Sequence, residues 1–257
     1  MAPAAPTAYH RINPLTKVVL ASVTTLATLF LGGYVAPAVL FATLVLPGAF
    51  VARSLRAVVA RAAVLTSPLA IAVGLVSVFT RPGATVLFQV GPFDATLEGF
   101  DFAARVVVRL FVMASALSLL GLTTPPQALV IDLERRGVSP RVAFALGAVV
   151  GAVPAMIQRA RHVRDAQRAR GLDTEGGVWR RLRGVVPLVG PVVIGSLHDV
   201  EARSLALEAR AFGRPGPRHL LWAPLDRARE RTARWVLVIG LAIAIVASIA
   251  GVLPKLP

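Results

Sequence analysis

No cysteine occurs in the 257 residues, which excludes disulfide scaffolds and thiolate-held metals and leaves the redox compartment open. Acidic residues are scarce, 13 against 28 lysines and arginines, for a formal net charge of +15. In a soluble domain that balance would suggest nucleic acid. Here the positive residues lie between or beside apolar runs, where the positive-inside rule accounts for them, so no nucleic-acid partner is expected. No glycine-rich loop ends in Lys-Ser or Lys-Thr, so the chain does not cradle nucleotide phosphates in the P-loop manner, and no cofactor is expected on it. The four histidines, His10, His162, His198 and His219, stand apart from any His-x-x-x-His or Glu-x-x-His ligand spacing. His162 reads as a solvated helix residue. His198-Asp199 beside Glu201 is the best available candidate for a metal or a base, and it is a poor one. No Gly-x-Ser-x-Gly elbow supports acyl transfer.

Apolar sequence is what the chain has in plenty. It is 56% hydrophobic with a mean hydropathy of +0.70, and several apolar runs of about 17 to 20 residues can cross a bilayer. The fold class is an all-α polytopic membrane protein. Met1 to Pro14 lacks a cleavage site, so the first apolar segment is expected to be a retained span. That span runs from Lys17 to Leu31, and Gly32-Gly33 breaks it before a second from Tyr34 to Val51. Arg53, Arg56 and Arg61 are expected in one short cytoplasmic loop. A third span covers Ala62 to Phe79, with a kink at Pro68. The loop Thr80 to Phe102 carries Asp94, Glu98 and Asp101 against Arg81 and is placed outside. A fourth span runs from Ala103 to Leu122. Arg105 and Arg109 share a face near its outer end, where snorkelling or pairing with Asp101 is favoured over an intramembrane charge site. A fifth, Trp235 to Leu253, puts the N-terminus inside and the C-terminus outside. Three regions follow: 1–122 and 234–257 in the membrane, and 123–233 as a cytoplasmic domain of long helices.

That middle region holds eighteen of the 28 basic residues and ten of the 13 acids, too many for lipid. A Thr cap and Pro125-Pro126 predict a short helix from Gln127 to Arg136, stopped by Gly137, with the charged end from Asp132 to Arg136 facing water. A second helix starts at Ser139-Pro140 and can run to Arg170, more than about 40 Å, with Pro154 inside it and Gly171 as its stop. Its first half, Val142 to Ile157, is apolar and rich in small residues, among them Ala143, Gly147 and Gly151, which permits close helix contact. From Gln158 it is strongly charged. The plan then repeats: basic Trp179 to Arg183, apolar Val185 to Leu197 with Pro187 and Pro191, then a charged half to Arg210, with Gly213 as the expected stop.

Both long helices therefore close on a basic tip, Gln167-Arg168-Ala169-Arg170-Gly171 and Glu208-Ala209-Arg210-Ala211-Phe212-Gly213. An arginine in a last turn complements the helix dipole, worth about 0.3–1 kcal/mol, and this explains either tip alone. It does not explain why small residues flank both arginines, Ala169 with Gly171 and Ala209 with Ala211. Small neighbours expose a guanidinium suited to carboxylates across an interface, so docking is preferred over capping.

With these residues in hand, the chain resembles the transmembrane T component of energy-coupling factor transporters, ABC importers of vitamins and transition metals. The resemblance covers Asn13-Pro-Leu-Thr-Lys17, Leu122-Thr-Thr-Pro125, Gln167-Arg-Ala-Arg-Gly171, Leu182-Arg-Gly-Val-Val-Pro187 and Ser204 to Gly213. It implies that Ala169-Arg170-Gly171 and Ala209-Arg210-Ala211 enter grooves on two ATPase subunits, which bind the ATP, and that a separate substrate-binding membrane subunit, the S component, completes the importer. Ala143, Gly147, Gly151, Val185, Val189 and Val193 are the candidates for contact with that subunit. Packing within the coupling domain is an equal alternative for them. Three positions depart from the family pattern: Asn13 where Asp is usual, Ala211 where Gly is usual, and Gly151 where an arginine often stands. The rival readings are a membrane enzyme acting on a lipid or isoprenoid through His198, Asp199 and Glu201, a stand-alone secondary carrier, and a passive membrane anchor.

Overall fold

The structure, a computed structural model, describes residues 7–81, 83, 85–90, 93–171, 178–212 and 224–250. The chain divides into two compact units, Met1–Asp132 with Pro224–Pro257, and Leu133–Ala223.

The first unit opens with a single 3-10 turn, Ala8–Arg11, and helix α1, Pro14–Phe30. Asn13 caps α1, its side-chain oxygen accepting from the Leu15 N–H at 3.0 Å, and Pro14 fills the first helical position where no N–H is needed. Gly33, at φ 75°, makes the turn into α2, Val35–Val51, which is interrupted by a π-helical turn at Phe41–Val45. Both α1 and α2 measure about 25 Å, short of a hydrocarbon core of about 30 Å.

Helix α3, Leu55–Thr80, begins earlier than expected. Arg53 takes a left-handed φ of 52°, its N–H bonds to the Phe50 carbonyl, and the Ser54 N–H reaches the Ala49 carbonyl. This closes α2 in a Schellman turn. Arg56 and Arg61 therefore lie on α3 rather than in a loop, because Leu55 to Ala63 is dominated by good helix formers and needs no apolar run to start. Pro68 sits inside α3 as expected. The Val64 carbonyl that Pro68 cannot serve accepts from the Ser67 hydroxyl at 3.2 Å, which keeps the backbone satisfied in lipid.

The expected outer loop is partly ordered. Strands β1, Val86–Val90, and β2, Phe93–Thr96, form an antiparallel hairpin that pairs Val90 with Phe93, with a bulge between Val86 and Phe88. Helix α4, Leu97–Thr123, then starts six residues ahead of the expected Ala103, because the Thr96 hydroxyl caps it by accepting from the Gly99 N–H at 3.2 Å. A Cβ on Gly99 would fall 2.4 Å from the Ser77 carbonyl. Only glycine lets α3 and α4 approach so closely.

Helix α5, Pro126–Arg135, follows, and α8, Ala228–Ile249, completes the unit. α3 packs along α4, and α1 lies between α4 and α8. α1 and α8 run parallel, with Arg234 beside Thr16 at one end and Ser248 beside Phe30 at the other. α3, α4 and α8 are long and apolar enough to cross a membrane. Large apolar side chains on α3, among them Val64, Leu65, Ile71 and Leu75, are exposed, while small ones such as Ala49, Ala62, Ala103 and Ala116 are buried. That inversion is the pattern of helices solvated by lipid and packed through small residues.

The second unit contains α6, Pro140–Ala169, and α7, Val178–Ala209. Ser139 and Pro140 start α6 as expected, the serine hydroxyl accepting from the Val142 N–H. α6 also contains a stretch apolar and long enough to cross a membrane.

Candidate interaction site at two helix tips

Both basic tips have one construction. In α6 the last helical residue is Ala169, Arg170 is the C-cap, and Gly171 turns left-handed at φ 87° with its N–H on the Arg168 carbonyl at 2.9 Å. In α7 the last helical residue is Ala209, Arg210 follows, and Ala211 turns left-handed at φ 52° with its N–H on the Glu208 carbonyl at 2.9 Å. The Phe212 N–H closes on the Leu207 carbonyl, completing a Schellman turn. The stop expected at Gly213 is thus made two residues earlier, by Ala211, because the turn needs its left-handed residue directly after the C-cap. Gly213 lies outside the described residues. All six residues of the two Ala-Arg-Gly/Ala triplets are exposed.

α6 and α7 are pinned together midway. Arg159 donates to the Asp199 carboxylate at 2.5 Å and to the Ser196 hydroxyl at 3.4 Å. Gly195 leaves room for its stem, since a Cβ there would sit 3.3 Å from the Arg159 Cδ. A second contact, Phe144 against Phe212 with ring centroids 4.6 Å apart, shows that the helices are antiparallel. Arg170 follows Arg159 by eleven residues, and Arg210 follows Asp199 by eleven. Each arm is therefore about 16 Å long, and the two arginines point to opposite ends of the pair.

The remaining expected contact residues separate. Gly151, Val189 and Val193 are exposed, Gly147 is half-buried and Ala143 is buried. The side chain of Val185 lies outside the described residues. Asp199 is engaged by Arg159, and no group of three His, Asp or Glu side chains able to hold a metal occurs among the described residues.

A polar clasp in the first unit was not legible beforehand. Asn13 is fully buried. Its N–H donates to Glu230 Oε2 at 2.8 Å, its Nδ2 to Asp132 Oδ1 at 2.9 Å, and its Oδ1 accepts from Arg234 at 3.3 Å. Arg234 also grips Asp226 through both carboxylate oxygens, at 2.9 and 3.1 Å, and reaches the Thr16 hydroxyl. Lys17 donates to the Thr123 carbonyl at 3.0 Å and lies over the Tyr9 ring, 5.3 Å from its centroid. Burial pushes the Tyr9 hydroxyl up to about 12. Asp132, expected in water, is fully buried, because the Asn13 amide replaces its hydration. The clasp thereby ties the loop before α1, the start of α8 and helix α5 together. It also accounts for asparagine at position 13, since an aspartate there would set one carboxylate against another.

At the opposite end of the spans, Asp101 accepts from the Tyr34 hydroxyl at 2.5 Å and is ion-paired with Arg105. Pairing thus accounts for Arg105, as the sequence suggested. Among the described residues Arg109 makes no such pair.

Residues 6–219 match the family described as cobalt transport protein (CbiQ). The chain belongs to this cobalt transport protein family. Both tips and the Asn13 to Lys17 segment fall inside the match. Among its relatives, the chain is 29% identical over 216 residues to the energy-coupling factor transporter transmembrane protein EcfT of Thermosediminibacter oceani, covering 79% of each. It is 32% identical over 180 residues to that of Heliobacterium modesticaldum, covering 66% of this chain and 67% of the relative. With that of Leuconostoc gelidum it shares 32% over 140 residues, about half the relative's length at 52%. Within the cobalt transport protein family, this is an energy-coupling factor T component, a transporter subunit of the membrane.

Proposed function

We propose that the chain couples ATP hydrolysis by two separate ABC ATPase subunits to uptake of a vitamin or transition-metal ion through a substrate-binding membrane subunit. The observation that carries this reading is the equal construction of the tips. Ala, Arg and a left-handed residue end both helices, each exposed and each about 16 Å from a shared pin. Arg170 docks on one ATPase and Arg210 on the other. Closure of the ATPase pair moves the two tips, and a pinned pair of rigid helices converts that motion into a change of crossing angle. Exposed Gly151 on α6 and exposed Val189 and Val193 on α7, which lie on opposite sides of the pin, are the candidate contacts for the substrate-binding subunit. The chain itself contributes no cofactor and no catalysis. It lies in the cytoplasmic membrane with the clasp end and the N-terminus inside and the C-terminus outside. This orientation agrees with Arg53, Arg56 and Arg61 at the clasp end.

Because the chain has no cysteine, single cysteines report contacts without background. Ala169→Cys and Ala209→Cys, beside the docking arginines and exposed, are expected each to cross-link to an ATPase subunit in the assembled complex, while a cysteine at exposed Val64 on α3 does not. Cross-linking of neither tip would contradict the docking.

A further inference from the structure

Arg109 is the one arginine of the α4 pair that the ion pair at Asp101 leaves over. No acidic or hydrogen-bond partner meets it among the described residues, and its Nε is buried without a partner. Its nearest feature is the α1–α2 turn, where an added Cβ on Gly32 would lie 3.9 Å from the guanidinium. Gly32 itself is exposed.

Depth decides what those surroundings are. Lys17 bonds to the Thr123 carbonyl, which sets the clasp ends of α1 and α4 level. Counting from there, Arg109 lies about 21 Å up α4 and Gly32 about 22 Å up α1, while Arg105 and Asp101 lie at about 27 and 33 Å. The hydrocarbon core is about 30 Å thick. Arg109 thus starts inside the core, with a side chain able to snorkel toward the headgroups past a turn that stops short of them. A guanidinium at this depth is stabilised by an anion that meets it at the headgroup level. Asp101 is already shared by Arg105 and the Tyr34 hydroxyl.

We infer that Arg109 and the short α1–α2 turn at Gly32 form a binding site for a phosphate group, supplied by a phospholipid of the leaflet at the β-hairpin end. The planar fork of arginine suits two phosphate oxygens. The short hairpin of α1 and α2 leaves the space above Gly32 for a headgroup to settle. The site is separate from the helix tips, and its existence does not depend on which way the chain is oriented.

Native mass spectrometry of the full chain in mild detergent, titrated with phosphatidylglycerol, tests this. Wild type is expected to retain one lipid. Arg109→Gln is expected to weaken retention about tenfold or more, the scale of a lost charge-assisted bond, with Arg109→Lys in between. Gly32→Asp provides a second route, placing a carboxylate on the intact arginine, and should weaken retention as much as Arg109→Gln. Unchanged circular dichroism and a monodisperse elution profile confirm folding of each variant. Added inorganic phosphate that displaces the lipid at millimolar concentration would assign the site to the free ion, whereas no displacement assigns it to the lipid phosphodiester. Lipid retention unchanged in both Arg109→Gln and Gly32→Asp overturns the inference.

Discussion

Ala211 holds a backbone conformation, φ 52°, that costs a residue with a Cβ about 1–2 kcal/mol. The equivalent place on the other tip is glycine. Ala211→Gly removes that strain at some cost in unfolded-chain entropy, and a net gain approaching 1 kcal/mol should raise the melting midpoint by about 2–4 °C. A fall in the midpoint would show that the Ala211 methyl has a packing role. Asn13 makes the opposite case. Asn13→Asp sets a carboxylate against buried Asp132, holding one of the two carboxyl pKa values above its unfolded value. The variant therefore loses stability as pH rises through the ordinary carboxylate range. It should be less stable than wild type by about 2–3 kcal/mol at pH 7, and the gap should narrow toward pH 4. Denaturation measured at both pH values checks the sign. His10 has the opposite pH dependence. Burial, and then Lys17, lower its pKa, so it costs stability only as pH falls below the usual imidazole value.

At the scale of elements, the pin between α6 and α7 depends on Gly195 as much as on its ion pair. Arg159 and Asp199 are partly exposed, with side-chain accessibilities of 30% and 45%, so the pair alone contributes about 1 kcal/mol or less. Gly195→Leu instead pushes on the Arg159 stem along its length. It is expected to leave co-purification with the candidate ATPases unchanged but to cut ATP-driven uptake severalfold, whereas Arg159→Gln reduces uptake only mildly. Uptake assays on reconstituted complexes separate the two. Much of this level was legible in sequence: Ser139-Pro140 and Gly171 mark the ends of α6, and Pro126 and Gly137 frame α5. The start of α4 was not, because Thr96 becomes a cap only once the hairpin before it has paired. Nor was the start of α3, where helix-forming residues carry the helix beyond its apolar run into the arginines.

For the whole molecule, the apolar runs and the paired tips are local patterns, and both were visible in the chain. The clasp joins Asn13, Asp132 and Arg234 across more than two hundred residues, and no spacing rule links them. Charged residues there read as solvent-facing until their partners are seen. Likewise, the equal arms emerge only when Arg159 and Asp199 are known to meet. The central claim is that two helix tips, one at each end of a pinned pair, connect this chain to two ATPase subunits. It is tested most directly by co-purifying the chain from detergent with its candidate ATPases, for wild type, Arg170→Glu, Arg210→Glu and the double variant, and by measuring ATP-driven uptake for each. The account predicts that wild type brings down two nucleotide-hydrolysing subunits, that each reversal weakens assembly or uncouples uptake, and that the double reversal abolishes it. Assembly and coupled uptake unchanged by the double reversal would contradict it and reduce both arginines to helix caps.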